Sequence, residues 1–358
     1  MPAVAVAAVI ALVAVGSVVL GGDGSHDSVR SRTAAVGDPE PLNRQVQIPA
    51  TGDVNLSATL SLPPGSGPGS KLAGVVILAG FGPTNRDGTA PAGGVPDLLY
   101  RDVSNVLVEN GMATLRYDKR GTGRTVLPDG EPLRVEDLVT DAAAAVKFLA
   151  ERAEVDPDRI AVVGHEEGGL VAMALAASEP TVRGLGLISV PGRPLVDVLA
   201  DDFAGSPGAD DIPALRGVVA TLLATGALPE TVPSSLAGYF PVDNEKYLLD
   251  LFSADPVALA GQVQVPVLFL RGAEATLVTA ADETALVGAL GPDTETLVVP
   301  GAGPSLAIVD QAAPQASAEP GHGAPGTGHD AIGAAPSSVR SQAALSRLAT
   351  FLADVTKV

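Results

Sequence analysis

The chain has 358 residues, of which 46% are hydrophobic and 18% charged, and 22 Lys and Arg against 41 Asp and Glu give a formal net charge of −19. So many apolar residues can build a sizeable core, which excludes a wholly disordered chain. The acidic balance repels nucleic-acid phosphates, and the absence of Cys excludes disulfides, thiolate nucleophiles and Cys-ligated metal sites. We therefore expect a globular protein that does not bind nucleic acid.

The amino-terminal segment is apolar. Residues 1–22 carry no charged side chain and are long enough to cross a bilayer, which takes roughly 20 helical residues. Two interpretations stay open, an uncleaved membrane anchor and a cleaved signal peptide, although the basic start that is usual for signal peptides is missing. With a polar tether over 23–44, either interpretation predicts an extracytoplasmic protein that is attached to the membrane or secreted.

Beyond the tether, strand-like and helix-like segments alternate, which is typical of a mainly parallel sheet with helices on both faces. Strands are predicted over 46–62 (two strands), 73–79, 112–117, 160–164, 185–190, 265–270 and 296–299. Helices are predicted over 97–109, 135–152, 167–177, 280–290 and 341–353. These segments predict an α/β core in two parts, 45–190 and 262–358.

Two stretches depart from this alternation. Residues 191–261 have no strand-like run and several short amphipathic pieces, so they are predicted to form a helical cap over the carboxyl edge of the sheet. Residues 302–338 are rich in Ala, Gly and Pro, a composition that buries too little apolar surface to order itself. We expect a disordered loop there.

A sharp turn is predicted after the strand at 160–164. Residues 164–169 read Gly-His-Glu-Glu-Gly-Gly, and the glycines two residues before and after Glu166 let strand and helix approach closely. The segment resembles the nucleophile elbow of the α/β-hydrolase superfamily, in the bacterial esterase and serine-peptidase-like branch that carries Gly-His-Ser-Glu-Gly-Gly. The resemblance implies the α/β-hydrolase fold.

Two further stretches carry the same resemblance. Residues 80–88 read Gly-Phe-Gly-Pro-Thr-Asn-Arg-Asp-Gly, where such enzymes place an oxyanion-hole loop, and residues 116–124 read Arg-Tyr-Asp-Lys-Arg-Gly-Thr-Gly-Arg after the next strand. The resemblance implies that the backbone N–H groups of Phe81 and Glu167 form the oxyanion hole.

The residues that would carry hydrolysis are all replaced. Such a hydrolase needs a hydroxyl nucleophile, a His that takes its proton and a carboxylate that orients the His. The resemblance implies that these three belong at positions 166, 275 and 304, where the chain has Glu166, Ala275 and Pro304. We therefore interpret the triad as degenerate and expect a non-catalytic protein that binds a small molecule or peptide under the cap, or a protein partner.

An active esterase or peptidase with displaced catalytic groups is the alternative. Glu274 stands one residue from the acid position, and His322 or His329 in the predicted loop could supply a base. A metal site is not expected, because His165 and the two glutamates after it are consecutive and cannot all converge on one ion. No cofactor is predicted.

Three basic residues near the elbow are candidate partners for Glu166 or Glu167. They are Arg86, Lys119 and Arg120. The two arginines have an equally good structural interpretation, as partners of the neighbouring Asp87 or Asp118. A carboxylate at position 166 is also expected to occupy the oxyanion hole itself, since helix N-termini attract anions.

Overall fold

The computed structural model describes residues 41–89, 97–128, 130, 132–204, 208–308 and 340–357. The predicted anchor or signal peptide, most of the tether and loop residues 309–338 lie outside the described residues. Among the helices of the described ranges, none is long and apolar enough to cross a bilayer.

An eight-stranded sheet forms the centre of the molecule, with the strand order β1-β2-β4-β3-β5-β6-β7-β8. The strands are β1 (Leu42–Pro49), β2 (Asn55–Leu62), β3 (Leu72–Leu78), β4 (Ala113–Tyr117), β5 (Val155–His165), β6 (Val182–Ile188), β7 (Val267–Gly272) and β8 (Glu295–Val299). The six strands from β3 to β8 pair in parallel, whereas β2 is antiparallel to both β1 and β4. This confirms the mainly parallel sheet predicted from the sequence.

Helices cover both faces of the sheet. They are α1 (Leu99–Glu109), α2 (Val135–Ala150), α3 (Glu167–Ala176), α4 (Leu195–Ala204), α5 (Ile212–Thr225), α6 (Glu245–Ser253), α7 (Pro256–Ala260), α8 (Ala280–Leu290) and α9 (Gln342–Val355). Successive side chains of a strand point to opposite faces. Val76 and Val162 accordingly join a core cluster with α2 and α3, while Val75 and Val163 join a second cluster with α1 and α9.

Four helices, α4 to α7, lie between β6 and β7 in the chain. They correspond to the helical insertion predicted for 191–261. The insertion is tied to the core where it begins, because the Arg193 guanidinium and the Gly192 N–H both donate to the carboxylate of Asp282 on α8. Asp282 is fully buried and Arg193 is partly exposed, so the carboxylate end of this tie is shielded from solvent.

Two predicted boundaries are wrong by a few residues. Strand β1 begins at Leu42, inside the predicted tether, because its backbone pairs with β2 although most of its side chains are exposed. Residues 302–308 are ordered, although the loop was predicted to begin at 302. Leu306 is fully buried there, and isolated bridges join Ala302 to Ile308 and Ala307 to Arg340. Composition alone could not reveal the burial of that single leucine.

Candidate functional site

A tight strand-to-helix turn lies at the carboxyl end of β5. Glu166, between β5 and α3, has φ 46° and ψ −113°, a conformation that residues other than glycine rarely adopt. A Cβ atom at Gly164 would lie 2.3 Å from the carbonyl oxygen of Gly168, and one at Gly168 would lie 2.5 Å from that of Leu78. Glycine is therefore required at both positions, and the backbone has the geometry of a nucleophile elbow.

The carboxylate of Glu166 lies against the loop that follows β3. The Phe81 N–H donates to Glu166 Oε2 at 3.3 Å, and a Cβ atom at Gly80 would come within 2.7 Å of the same oxygen. Glu166 is 9% exposed and stands at the N-terminus of α3, where the helix dipole favours a negative charge. The carboxylate thus accepts a hydrogen bond from one of the two N–H groups assigned to the oxyanion hole.

A buried tyrosine and a histidine lie beside this carboxylate. The Gly80 N–H donates to the Tyr100 hydroxyl at 2.7 Å, and that hydroxyl lies 3.1 Å from His165 Nδ1. Burial, together with the charge of Glu166, raises the pKa of Tyr100 far above its ordinary value, so the phenol stays protonated and can donate to Nδ1. His165 Nε2 lies 3.9 Å from Glu166 Oε1 and has no hydrogen-bond partner among the described residues.

Glu167 connects three parts of the fold. Its side chain is 1% exposed, with Lys119 Nζ at 2.7 Å from Oε2 and the Tyr247 hydroxyl donating to Oε1. Lys119 Nζ also donates to the Gly80 carbonyl at 2.5 Å. Burial and the charge of Glu167 raise the pKa of Tyr247, which keeps its hydroxyl a donor. Helix α6 of the insertion, the elbow and the loop after β3 are therefore joined at one buried carboxylate.

The two arginine candidates pair with other carboxylates. Arg86 binds Asp118 with 2.7 Å between Nη2 and Oδ2, which is one of the two structural pairings expected from the sequence. Arg120 binds Asp141 of α2 through two bonds of 2.8 Å. Burial raises the pKa of Asp141, although Arg120 opposes this shift. Of the three candidates, Lys119 is the one whose ion pair reaches the elbow.

Ala275 and Pro304 lie beyond the ends of β7 and β8. The register places Ile188 of β6 beside both His165 and Leu270, so the ends of β5, β6 and β7 are adjacent at one edge of the sheet. Ser189, directly after β6, donates its hydroxyl to the Pro304 carbonyl at 2.7 Å. Neither position offers an acid or a base, since a methyl group and a pyrrolidine ring have no proton to exchange. The neighbouring Glu274 is exposed.

A cleft of about 410 Å³ lies beside the elbow, between α2 and α3 of the core and α6 and α7 of the insertion. Glu167 is the elbow residue that lines it. Across the ranges the structure describes, no three His, Asp or Glu side chains lie close enough together to hold a metal ion.

Comparisons with known proteins agree with this geometry. The model of the serine aminopeptidase S33 family matches residues 98–200. Esterase EstD of Thermotoga maritima is 30% identical over 250 residues, which cover 69% of this chain and 55% of EstD. The chain belongs to the α/β-hydrolase superfamily. Within that superfamily it is similar to an esterase, and it spans little more than half the length of EstD.

Solved structures show the same fold. The hypothetical protein PA2218 from Pseudomonas aeruginosa matches with a TM-score of 0.53 and 17% identity, covering 79% of this chain and 93% of that one. The Pyrococcus furiosus esterase Pf2001 matches with a TM-score of 0.51 and 19% identity, covering 77% and 91%. At such identities the likeness concerns the fold alone.

Three residues of the site were not predicted from the sequence. Tyr100 lies on α1, Tyr247 on α6 and Ser189 after β6, far from the elbow in the chain. Each looks like an ordinary core or loop residue, and only the topology of the sheet and the insertion brings it to the elbow. For Ser189 a positive φ of 48° distinguishes the position, but the sequence carries no sign of it.

Proposed function

We propose that this chain is an α/β-hydrolase-fold protein that binds a ligand and does not hydrolyse esters or peptides. The observation that carries the proposal is the carboxylate of Glu166 at the centre of the elbow, hydrogen-bonded to the Phe81 N–H. An ionised carboxylate has no proton for a base to remove and could act only as a carboxylate nucleophile, whose ester intermediate needs a base-activated water that positions 275 and 304 do not supply. It also engages a donor that would otherwise stabilise a developing oxyanion.

The other two triad positions support the proposal in the same way. Ala275 cannot orient an imidazole, and Pro304 cannot accept or donate a proton. Triad residues act as a unit, so an enzyme that lacks all of them retains only the small rate that binding and the oxyanion hole provide. Here Glu166 diminishes the oxyanion-hole contribution as well.

The ligand of the proposed binding function is a small molecule or a peptide held under the insertion. The cleft between the core and the insertion provides the space, and Glu167 connects its lining to the elbow. A protein partner for the acidic surface is the other partner that the composition predicts. The proposed location is outside the cytoplasm, with the apolar residues 1–22 as anchor or signal.

Turnover of model esters and anilides tests whether the altered triad is inactive. We expect the purified full-length protein to hydrolyse a panel of nitrophenyl esters and aminoacyl anilides no faster than its Glu166→Ala variant, because neither protein has a nucleophile with a base. Product release is followed by absorbance, with an active esterase in the same plates as the positive control.

The Glu274→Ala variant tests the displaced-acid alternative. The proposal would be contradicted if the wild type showed steady turnover and either Glu166→Ala or Glu274→Ala abolished it. That result would identify an active hydrolase with rearranged catalytic groups.

A further inference from the structure

The cleft beside the elbow has the size and lining of a small-molecule site. Its volume of about 410 Å³ falls within the range of roughly 300–1,000 Å³ that is typical of ligand pockets. Its walls are mainly aliphatic and come from four helices: Val139 of α2, Leu170, Val171 and Ala174 of α3, Leu251 of α6 and Leu259 of α7. An apolar body would lose its contact with water between these side chains.

The charges that line this cleft do not balance. Arg134 and Asp250 neutralise each other, because Arg134 Nε and Nη2 lie 2.6 and 2.7 Å from the two Asp250 oxygens. Glu167, at the inner end, is compensated by Lys119 at 2.7 Å. Two further carboxylates line the cleft: Arg134 attracts Glu136 but is already paired with Asp250, and Asp255 forms no ion pair among the described residues, so the carboxylates exceed the cations by two.

The two carboxylates are available to a ligand. Glu136 and Asp255 are both exposed, on the first turn of α2 and at the N-cap of α7. Asp255 Oδ1 accepts the N–H groups of Val257 and Ala258 at 3.0 Å, which leaves Oδ2 for another donor. The exposed side of the cleft thus carries two carboxylates in excess of its cations, beside an aliphatic interior.

We propose that this cleft binds a small amphipathic cation, with its aliphatic body between α3 and α7 and its ammonium group at Glu136 and Asp255. The inference rests on the proposed binding function and adds the place and the chemical class of the ligand. An anion with an aliphatic body of the same length as the cation's is repelled by these two carboxylates. The net charge of −19 on the chain also disfavours its approach. A neutral alcohol gains the apolar contacts alone.

The experiment compares three ligands of equal chain length. Octyltrimethylammonium, octanoate and 1-octanol are titrated into the purified full-length protein by calorimetry at low salt. We expect saturable binding of the cation, at least about tenfold tighter than that of octanoate, because the two carboxylates attract one ligand and repel the other. Raising the ionic strength should reduce this preference, since exposed charges are screened.

Four variants locate the site. Ala258→Trp, at an exposed position on α7, and Ala174→Trp, on α3, each fill the cleft from a different wall and should abolish binding of the cation. Glu136→Gln should weaken it by about two- to fivefold. Glu109→Gln removes the same charge from the end of α1, on the opposite face of the sheet, and should leave binding unchanged. Circular dichroism shows which variants retain the fold.

Three results would overturn the inference: octanoate binding as tightly as the cation, binding that persists in both folded tryptophan variants, or no saturable binding of the cation. The turnover assay reports separately on the proposed function. An inactive protein that does not bind the cation contradicts the inference alone, whereas ester turnover contradicts the proposed function.

Discussion

Glu166 holds a backbone conformation that is unfavourable for any residue with a side chain. A non-glycine residue in such a sparsely populated region costs roughly 1–3 kcal/mol. The surroundings enforce it, because the backbones of β5 and α3 meet at Gly164 and Gly168 with no room for a Cβ atom. The turn is therefore a property of the backbone packing and does not depend on a hydroxyl nucleophile.

A pair of substitutions measures this strain. Glu166→Gly and Glu166→Ala both remove the carboxylate, but only glycine adopts the positive φ of 46° without backbone strain. We expect the glycine variant to be about 1 kcal/mol more stable than the alanine variant, since the relief of strain exceeds the entropy that glycine adds to the unfolded chain. Chemical denaturation measures the difference.

A control for these two substitutions is Ala143→Gly, in the interior of α2, where φ is that of a helix. Here glycine should destabilise the protein by about 1 kcal/mol. An alanine variant at 166 as stable as the glycine variant would show that the elbow is not strained.

Single residues of the site differ in how far the sequence could predict them. Lys119 was one of three candidate cations for the elbow, and the local sequence could not select it, because all three lie on loops that follow strands β3 and β4 of the sheet. The choice depends on which carboxylate each side chain reaches. Arg120 reaches Asp141, a residue within an ordinary helical pattern that nothing in the sequence distinguishes.

At the level of the elements, a hydrogen bond from one hydroxyl connects α6 to the elbow. Tyr247 donates to Glu167 Oε1, and Glu167 is buried with Lys119 as its other partner. Removal of a bond to a buried charge costs more than removal of one between neutral groups. The position of the insertion over the core therefore depends on this tyrosine more than on a typical apolar contact of the same helix.

The substitution Tyr247→Phe tests this link. We expect a loss of about 2 kcal/mol in the free energy of unfolding, because Glu167 would keep only part of its hydrogen bonding in a buried place. Urea denaturation followed by circular dichroism gives the value. Tyr239→Phe is the matched control in the same insertion. If it lowered the free energy of unfolding as much as Tyr247→Phe does, the link between Tyr247 and Glu167 would be contradicted.

The tie between the insertion and α8 is predicted to depend on pH. Burial opposes ionisation of Asp282, but bonds from Arg193, Thr279 and Gly192 outweigh it and hold its pKa below the ordinary value. A carboxyl with a depressed pKa in the folded state stabilises the protein above its unfolded pKa of about 3.9, and this contribution disappears as the pH falls through the folded pKa.

We therefore expect Asp282→Asn to cost about 3 kcal/mol at neutral pH, since it leaves Arg193 without its main partner, and the difference from wild type to shrink below about pH 4. Urea unfolding over a series of pH values measures both effects. The exposed pair Arg183–Asp158 provides the control: Asp158→Asn should change stability by less than about 1 kcal/mol. A difference independent of pH would refute the assigned role of Asp282.

The elements themselves were largely predictable from the sequence. Buried parallel strands such as β3 and β7 are short continuous apolar runs between turn residues, which is a local signal. Strand β5 was predicted from residue 160 but begins at Val155. Its first residues lack an apolar run, because residues 156–159 are Asp, Pro, Asp and Arg. How α6 packs on the elbow could not be predicted, since it depends on contacts between residues about 80 positions apart in the chain.

At the level of the whole molecule, the proposed location rests on a segment outside the described residues. The apolar residues 1–22 predict export or anchoring. A reporter that is active only outside the cytoplasm, fused after Val358, should therefore be active in cells. The same fusion without residues 1–22 should lose this activity and remain inside. Equal reporter activity with and without the segment would contradict the prediction.

The strand bridge between Ala307 and Arg340 has a consequence for protein engineering. The described residues stop at 308, just after this bridge, and resume at Arg340, so the two ends of the intervening stretch are neighbours. Closing a longer loop between fixed neighbouring ends costs only about 0.6 kcal/mol for each doubling of its length. The stretch between Ala307 and Arg340 is therefore suited to carry an inserted fluorescent domain or affinity peptide. Its two ends lie between the end of β8 and the start of α9.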